Sequence, residues 1–206
     1  MVLSRLLDLL FPPRCVSCAA PGSWWCDECS RRVVPVGVAP APGNGLDGLL
    51  AAAVHRDPVT RLVKALKYRH AKAVAPGMAA MLAPLVRKVP GSDVLLVPVP
   101  LHPRRLRQRG HNQSALLTEA LSESTGLPMS TALIRTRYTQ TQTGLGRAER
   151  HRNVRGAFDW TGAALSSKTV VLVDDVYTTG ATLAACAAAC RTKGARQVWG
   201  LVVGKR

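Results

Sequence analysis

The chain has 206 residues, of which 47 % are hydrophobic and only 4 % aromatic, so its core must consist mostly of alanine, valine and leucine. This apolar content excludes a largely disordered chain. Lys and Arg number 28 against 12 Asp and Glu, a formal net charge of +16, which favours polyanionic ligands such as nucleic acids, phosphorylated small molecules or anionic lipid. A basic surface that is merely solvated is the alternative.

The first segment, MVLSRLLDLLF, places four leucines on one face of a short helix that ends before Pro12 and Pro13. We expect this helix to dock on the body of the protein; a membrane-surface helix is the alternative. Arg5 and Asp8 interrupt the apolar run, which does not fit a secretory signal. The sequence also lacks the roughly 18 consecutive apolar residues of a membrane span. We therefore expect a cytoplasmic protein with reduced thiols.

The segment CVSCAAPGSWWCDECS contains two CxxC pairs separated by seven residues. This spacing is typical of a closed, tetrahedral zinc site, and a reducing compartment disfavours disulfides. Its four ligands would be Cys15, Cys18, Cys26 and Cys29. Zinc would supply the folding energy that a segment of about 45 residues cannot obtain from a core of its own. We expect Trp24 and Trp25 to pack over this site rather than to stack on nucleic-acid bases.

The next segment, PVGVAPAPGNG, is rich in proline and glycine and has no hydrophobic periodicity, which indicates a linker. The chain then divides into three parts. Residues 1–34 form the helix and the four-cysteine zinc module, residues 35–45 form the linker, and residues 46–206 form the main domain.

Apolar runs typical of buried strands alternate with helical patterns in the main domain. The predicted strands are Leu49–Val54, Asp93–Pro100, TALIRT, VVLVDD and QVWGLVV, and among the predicted helices are one that Asn112 can cap and one that ends near Gly194. Continuously apolar strands that alternate with helices predict an α/β fold with a parallel sheet covered on both faces. Cys186 and Cys190 lie on the last predicted helix, where we expect them to be small buried hydrophobic residues.

The stretch VVLVDDVYTTGATL ends a buried strand in two carboxylates and then opens a helix. Backbone N–H groups at a helix start favour an anion, and ligands of parallel sheets bind beyond the carboxyl ends of the strands. Carboxylates accept hydrogen bonds from a vicinal diol. The stretch therefore indicates a site for a 5-phosphorylated ribose; a helix cap beside a surface acid is the alternative. The candidate ligand-binding residues are Asp174, Asp175, Thr178, Thr179, Gly180, Ala181 and Thr182.

Two other segments carry chemistry of this kind. VPVPLHPRRLRQRGHNQ places four arginines in what we expect to be one loop after a strand, and arginine forks bind phosphate oxygens well. A solvated basic loop is the alternative. His102 and His111 can donate to a phosphate or a second substrate, but a lone histidine is more often structural. RTRYTQTQTGLGRAERHRN is long, polar and punctuated by glycine, which is typical of a lid.

VVLVDDVYTTGAT resembles the phosphoribosyl-pyrophosphate (PRPP) motif of type I phosphoribosyltransferases. Together with LHPRRLRQRGHNQ, TQTQTGLGRAERHRNVRGAF and the paired CxxC, it resembles the ComF/GntX family, the competence-protein type of phosphoribosyltransferase, over nearly the whole chain. Two positions depart from the family pattern. His111 stands where the family has an aromatic residue in RGFNQ, and His70 follows Arg69 where the family has KYRG.

The resemblance implies a type I phosphoribosyltransferase fold and Mg²⁺-dependent displacement of pyrophosphate at ribose C1. It also implies a pyrophosphate loop with His102, Arg104, Arg105 and Arg109, and a catalytic lid whose candidates are Gln140, Arg147 and Arg150. Mg²⁺ would be held mainly by PRPP itself. The family further implies a link to uptake of single-stranded DNA and a helicase-type partner. The alternative to an enzyme is a non-enzymatic DNA- or partner-binding factor that retains the fold; the intact lid segment favours the enzyme.

Overall fold

A computed structural model describes residues 12–68, 71–138 and 147–206. Its strands are β1 (Pro35–Ala39), β2 (Gly48–Val54), β3 (Val94–Pro98), β4 (Leu133–Arg135), β5 (Phe158–Trp160), β6 (Thr169–Tyr177) and β7 (Gln197–Lys205). Its helices are α1 (Asp27–Arg31), α2 (Val59–Lys67), α3 (Ala71–Val86), α4 (Pro103–Arg109), α5 (Gln113–Thr125), α6 (Arg147–Val154) and α7 (Ala181–Thr192). The helix predicted within MVLSRLLDLLF lies outside the described residues. Within the described ranges, no helix has both the length and the apolar character needed to cross a membrane.

The main sheet has five strands in the order β1-β2-β7-β6-β3. Strands β2, β7, β6 and β3 run parallel, and β1 pairs antiparallel with β2 at one edge. A second sheet consists of β4 and β5. All five residues of β3 and the first five of β6 are buried, as expected for strands with both faces covered. The predicted α/β fold with a parallel sheet is confirmed.

The two faces of the main sheet form two separate hydrophobic clusters. Val170 and Leu172 of β6 point to one cluster, with α7 and the small sheet. Val171 and Val173 point to the other, with α2, α3 and α5. Side chains alternate along a strand, so the next two residues, Asp174 and Asp175, also point to opposite faces.

The helix α7 carries both of the remaining cysteines in its buried face. Cys186 and Cys190 are fully buried in the first cluster. Burial raises the pKa of both thiols, that of Cys190 to about 12. They therefore remain protonated and act as small hydrophobic residues, as expected from the sequence.

The cysteine-rich segment packs against the second cluster of the main domain. Trp24 and Trp25 both pack against this cluster of the main domain, and their expected packing over the cysteine site stays a prediction. In addition, Arg61 of α2 donates from Nη1 to the carbonyl oxygen of Ser17 at 2.6 Å. The segment is thus held by apolar contacts and by a hydrogen bond to α2.

The segment expected to be a linker differs in part from that expectation. Residues Pro35–Ala39 form β1, with Pro35 opposite Ala53 and Ala39 opposite Leu49. Proline lacks an N–H group but is tolerated in an edge strand, where one side of the backbone needs no partner. The sequence pattern missed this strand because Pro35 and Gly37 interrupt it. The division into three parts remains a prediction.

Candidate functional site

The carboxyl ends of the parallel strands open into a cleft of about 660 Å³. Its walls are the connections that follow β2, β3 and β6, together with α2. The residues that line it include two acids and several cations, namely Asp174, Asp175, Lys64, Lys67, Arg105, Arg109, Arg135 and Arg206. Cations thus outnumber acids on the walls, as suits a polyanionic ligand.

The loop between β6 and α7 forms the floor of the cleft. All five candidates from Thr178 to Thr182 line it. Gly180 is the N-cap residue of α7 with φ 76°, and no side chain caps the helix. A Cβ at Gly180 would lie 2.5 Å from Asn44 Nδ2 and 2.5 Å from the Tyr177 hydroxyl oxygen. The loop therefore needs glycine both for its backbone angle and for space, and the start of α7 faces the cleft.

Asp174 is held by Ser114 at the start of α5 and by the backbone of β6. Its Oδ1 accepts from Ser114 Oγ at 2.9 Å and from the backbone N–H of Asp175 at 2.9 Å. Burial of the carboxyl group, followed by the charge of Asp175, raises the pKa of Asp174 well above its usual value. A ligand that donates hydroxyl hydrogens to Asp174 would favour its ionised form.

Asp175 meets a cation at the end of α2. Its side chain is 6 % exposed, and its Oδ2 lies 2.5 Å from Lys67 Nζ, at the end of α2. The sequence places the two acids at the end of the strand, whereas β6 continues through both to Tyr177, with Asp174 opposite Val202. The strand has therefore not turned into the loop at Asp175, and the two carboxylates have different partners.

The arginine-rich segment, expected to be a loop, is the short helix α4. Pro103 suits the first helical position, His102 Nδ1 accepts from the Arg104 N–H at 3.2 Å, and Gly110 ends the helix with φ 81°. The prediction of a loop is therefore wrong for this segment. The sequence contains these signals for the start and end of a helix, but its many basic residues led to its interpretation as a loop.

The four candidates of this segment divide into two groups. Arg105 and Arg109 line the cleft. Arg104 lies over the Tyr138 ring at 5.0 Å from its centroid, and His102 packs edge-on against the same ring at 5.1 Å. Arg104 and His102 are not among the residues that line the cleft; both contact the start of the segment expected to be a lid.

The lid candidates lie at the limit of what the structure describes. Gln140 is outside the described residues, and Arg147 and Arg150 belong to α6. The two ends of the segment are tied together: Arg137 Nη2 donates to the carbonyl oxygens of Asn153 at 3.3 Å and Arg155 at 2.7 Å. The lid itself stays a prediction, because residues 139–146 lie outside the described part of the chain.

Among the cleft residues that were not predicted to belong to the site are Arg135, His55 and Lys67. Arg135 is only 8 % exposed, and its guanidinium lies 5.3 Å from the centroid of the Phe158 ring. His55 follows β2, and its pKa is lowered by burial and by the charges of Arg206 and Lys67, so the ring is neutral at pH 7. Lys67 pairs with Asp175. Of these, only Arg135 had a signal in the sequence, as a cation at a buried alternate position of TALIRT.

The four cysteines converge on one point of the cysteine-rich segment. Their sulfur atoms all lie within 4.8 Å of one another, with Cys15 and Cys29 3.7 Å apart and Cys18 and Cys26 3.6 Å apart. Zn–S bonds of about 2.3 Å at tetrahedral angles place sulfur atoms about 3.8 Å apart. The observed separations fit that geometry, so these residues can hold one zinc ion.

We expect one zinc ion per chain, and we expect Cys26→Ala with Cys29→Ala to lose it. Two thiolates cannot keep a structural zinc site closed, so the segment should also lose its fold. Metal analysis of the purified proteins by mass spectrometry measures this. Cys186→Ala is the matched control, since it removes a buried thiol elsewhere. Unchanged zinc in the double variant would contradict the assignment.

No family model matches the chain. Competence protein F of Haemophilus influenzae is 32 % identical over 155 residues, which cover 70 % of this chain and 68 % of that protein. DNA utilization protein YhgH of Salmonella typhimurium is 32 % identical over 195 residues, which cover 91 % of this chain and 81 % of that protein. Among solved structures, glutamine PRPP amidotransferase from B. subtilis, complexed with ADP and GMP, covers 61 % of this chain and 25 % of that chain, at 24 % identity and a TM-score of 0.40.

The family assignment rests on the two sequence relatives, because the structural overlap is partial. Both relatives exceed 30 % identity, and the matched regions cover more than two thirds of each relative. The resemblance carried by the acid pair, the arginine-rich segment and the paired CxxC is thereby confirmed. The chain belongs to the competence protein F (ComF) family.

Proposed function

We propose that the cleft binds Mg²⁺-PRPP and that the protein transfers the phosphoribosyl group to an acceptor. One observation carries this proposal: the glycine-dependent start of α7 and the acids Asp174 and Asp175 line the same cleft as Arg105 and Arg109. A phosphate, a ribose diol and a pyrophosphate need this set of partners side by side. The partners that PRPP needs thus all line one cleft.

In this proposal each end of PRPP has its own partners. The 5-phosphate binds the backbone N–H groups and hydroxyls of Thr178–Thr182, where each charge-assisted hydrogen bond contributes roughly 1.5–3 kcal/mol. The ribose hydroxyls donate to the acids of β6. The arginines at α4, together with Arg135, face the pyrophosphate and stabilise its growing negative charge.

The proposed reaction is a displacement at ribose C1. The bond from C1 to the pyrophosphate oxygen breaks with its electron pair on oxygen, and a bond forms from C1 to the nucleophilic atom of the acceptor. Positive charge develops on the sugar ring, so closure of a lid over the cleft would exclude water. Gln140, Arg147 and Arg150 are the proposed lid residues.

Mg²⁺ fits this site as part of the ligand. Within the described part of the chain, the four cysteines are the one cluster of three or more His, Cys, Asp or Glu side chains with the geometry to hold a metal ion. The two acids of the cleft are already engaged by Ser114 and Lys67. Mg²⁺ would therefore be held by phosphate oxygens of PRPP, where it neutralises the charge of the leaving group.

Pyrophosphate release tests the proposed activity. The protein is incubated with Mg²⁺-PRPP and a panel of nucleobases and amines, and pyrophosphate is measured with a coupled enzyme assay. We expect release that depends on one acceptor and is absent in the Asp174→Asn, Asp175→Asn double variant. Binding of PRPP without acceptor-dependent release would contradict the transferase and favour a PRPP-binding factor.

The second candidate function is a non-enzymatic DNA- or partner-binding factor. Two observations favour it: the +16 formal charge, and the names of the two relatives, which refer to competence and to DNA utilization. A helicase-type protein of DNA uptake is the partner that the family suggests. In this function, the PRPP site would serve as a sensor rather than as a catalytic centre.

We expect weak binding of single-stranded DNA without sequence preference. Lys and Arg that neutralise phosphates release counterions, so the affinity should fall steeply between about 50 and 200 mM salt. Fluorescence anisotropy with two labelled oligonucleotides of different sequence measures this. An affinity that does not change with salt would mean that the excess positive charge is only a solvated surface.

A further inference from the structure

Lys67 lies where α2 ends, and it connects that helix to the acid pair of β6. Its Nζ is 2.5 Å from Asp175 Oδ2, while its side chain remains 28 % exposed and lines the cleft. Its contact with Asp175 is an ion pair, and an ammonium group carries three N–H donors. Lys67 can therefore also donate to an anion in the cleft.

Both chain neighbours of Lys67 are held by the segment around α4. His111 Nε2 is 3.0 Å from the Leu66 carbonyl oxygen, and because that oxygen can only accept, the imidazole donates. On the other side, the Arg109 guanidinium lies 5.6 Å from the centroid of the Tyr68 ring. Lys67 is therefore fixed beside Arg109, on the pyrophosphate side of the proposed site. This contact also gives His111 a structural role outside the cleft lining.

The carboxylates of Asp174 and Asp175 have different partners, and Lys67 is one of them. Asp174 accepts from Ser114 Oγ and from a backbone N–H. Asp175 is 4 % exposed, and its carboxylate faces the Lys67 ammonium. A carboxylate so deeply covered is better placed to orient a lysine than to receive a ribose hydroxyl.

We propose that Lys67 is a pyrophosphate-binding residue of the cleft and that Asp175 is its positioning residue. This inference rests on the proposed PRPP site and refines it by giving the two acids different roles. Asp174 accepts from the ribose, whereas Asp175 keeps the Lys67 ammonium beside Arg109. Loss of either Lys67 or Asp175 should then weaken binding of the pyrophosphate group and leave binding of the ribose 5-phosphate portion unchanged.

Four variants test this inference: Lys67→Met, Asp175→Asn, their combination, and Lys88→Met as the matched control. Lys88 is exposed and does not line the cleft, so its loss removes the same charge away from the site. Calorimetric titrations use Mg²⁺-PRPP, inorganic pyrophosphate with Mg²⁺, and ribose 5-phosphate. Lys67→Met leaves the covered carboxylate of Asp175 unpaired, which can destabilise the fold. The combined variant removes both charges and therefore avoids this destabilisation. Circular dichroism checks the fold of each variant.

We expect Lys67→Met to weaken Mg²⁺-PRPP and pyrophosphate about tenfold to a hundredfold, the loss of a charge-assisted hydrogen bond. Asp175→Asn should act in the same direction, and the combined variant should be no weaker than Lys67→Met, because the two residues act as a unit. Ribose 5-phosphate should bind all four variants and the parent alike. Lys88→Met should change the affinity for PRPP by less than about threefold, as expected for a solvated charge.

Two results would overturn the inference while leaving the proposed site intact. One is a parent-like affinity of Lys67→Met for pyrophosphate. The other is a loss of ribose 5-phosphate binding in Asp175→Asn, which would make Asp175 a ribose acceptor. A folded parent protein that binds none of the three ligands would instead overturn the proposed function itself.

Discussion

The double variant Asp174→Asn, Asp175→Asn is expected to lose detectable binding of Mg²⁺-PRPP while it keeps its fold. Asparagine keeps the size of aspartate but replaces an acceptor-only group with one that also donates, and the change removes two negative charges. Asp174 would no longer accept fully from the ribose hydroxyls. The Lys67 ammonium, now without its counter-ion, would lose its fixed position beside Arg109.

Calorimetric titration with Mg²⁺-PRPP measures this loss, with ribose 5-phosphate as a second ligand and circular dichroism as the fold control. We expect ribose 5-phosphate binding to fall as well, because Asp174 is lost. Asp47→Asn is the matched control, since Asp47 pairs with Arg191 and does not line the cleft. A double variant that binds PRPP as tightly as the parent would show that these carboxylates are not the ribose site.

Gly180→Ala is expected to weaken binding of Mg²⁺-PRPP at least about tenfold, the loss of roughly one charge-assisted hydrogen bond to the phosphate. The φ of 76° is in the left-handed region, which costs an alanine about 1–2 kcal/mol. The new methyl group would also lie 2.5 Å from the hydroxyl of Tyr177, a buried ring with little room to move. The loop must therefore shift, and its N–H groups would leave the positions that face the phosphate.

Gly194→Ala at the other end of α7 separates backbone strain from the effect on the site. Its φ is 89°, and the nearest atom to a new Cβ would be Ser166 Oγ at 3.4 Å, an ordinary contact. This control should lose a similar amount of stability to thermal unfolding but bind PRPP like the parent. Equal PRPP affinity of Gly180→Ala and Gly194→Ala would mean that the start of α7 does not hold the phosphate.

Residues that combine a local pattern with a specific chemistry could be predicted from the sequence. The parallel sheet follows from continuously apolar strands such as β6, and the cysteine cluster follows from the spacing of Cys15, Cys18, Cys26 and Cys29. The loop Thr178–Thr182 was predicted because threonine, glycine and acids occur together at a strand end. In each case the residues that act together are neighbours in the chain.

Features that depend on contacts distant in sequence could not be predicted. The pairing of Lys67 with Asp175 joins residues on α2 and β6, and the hydrogen bond from Ser114 to Asp174 joins α5 to the same strand. Strand β1 was missed because its residues have a low intrinsic preference for strand structure. Its pairing with β2 overcomes that low preference. These contacts require the packing of the helices on the sheet, which no local pattern specifies.

The central claim is that this cleft is a binding site for PRPP, and a calorimetric titration of the parent protein with Mg²⁺-PRPP tests it most directly. The protein should be loaded with zinc and studied at one fixed salt concentration, with ribose 5-phosphate and adenosine as separate titrants. The account predicts saturable binding of one PRPP per chain, weaker binding of ribose 5-phosphate at the same site, and none of adenosine, which has no phosphate. Absence of saturable PRPP binding by the folded protein would contradict it.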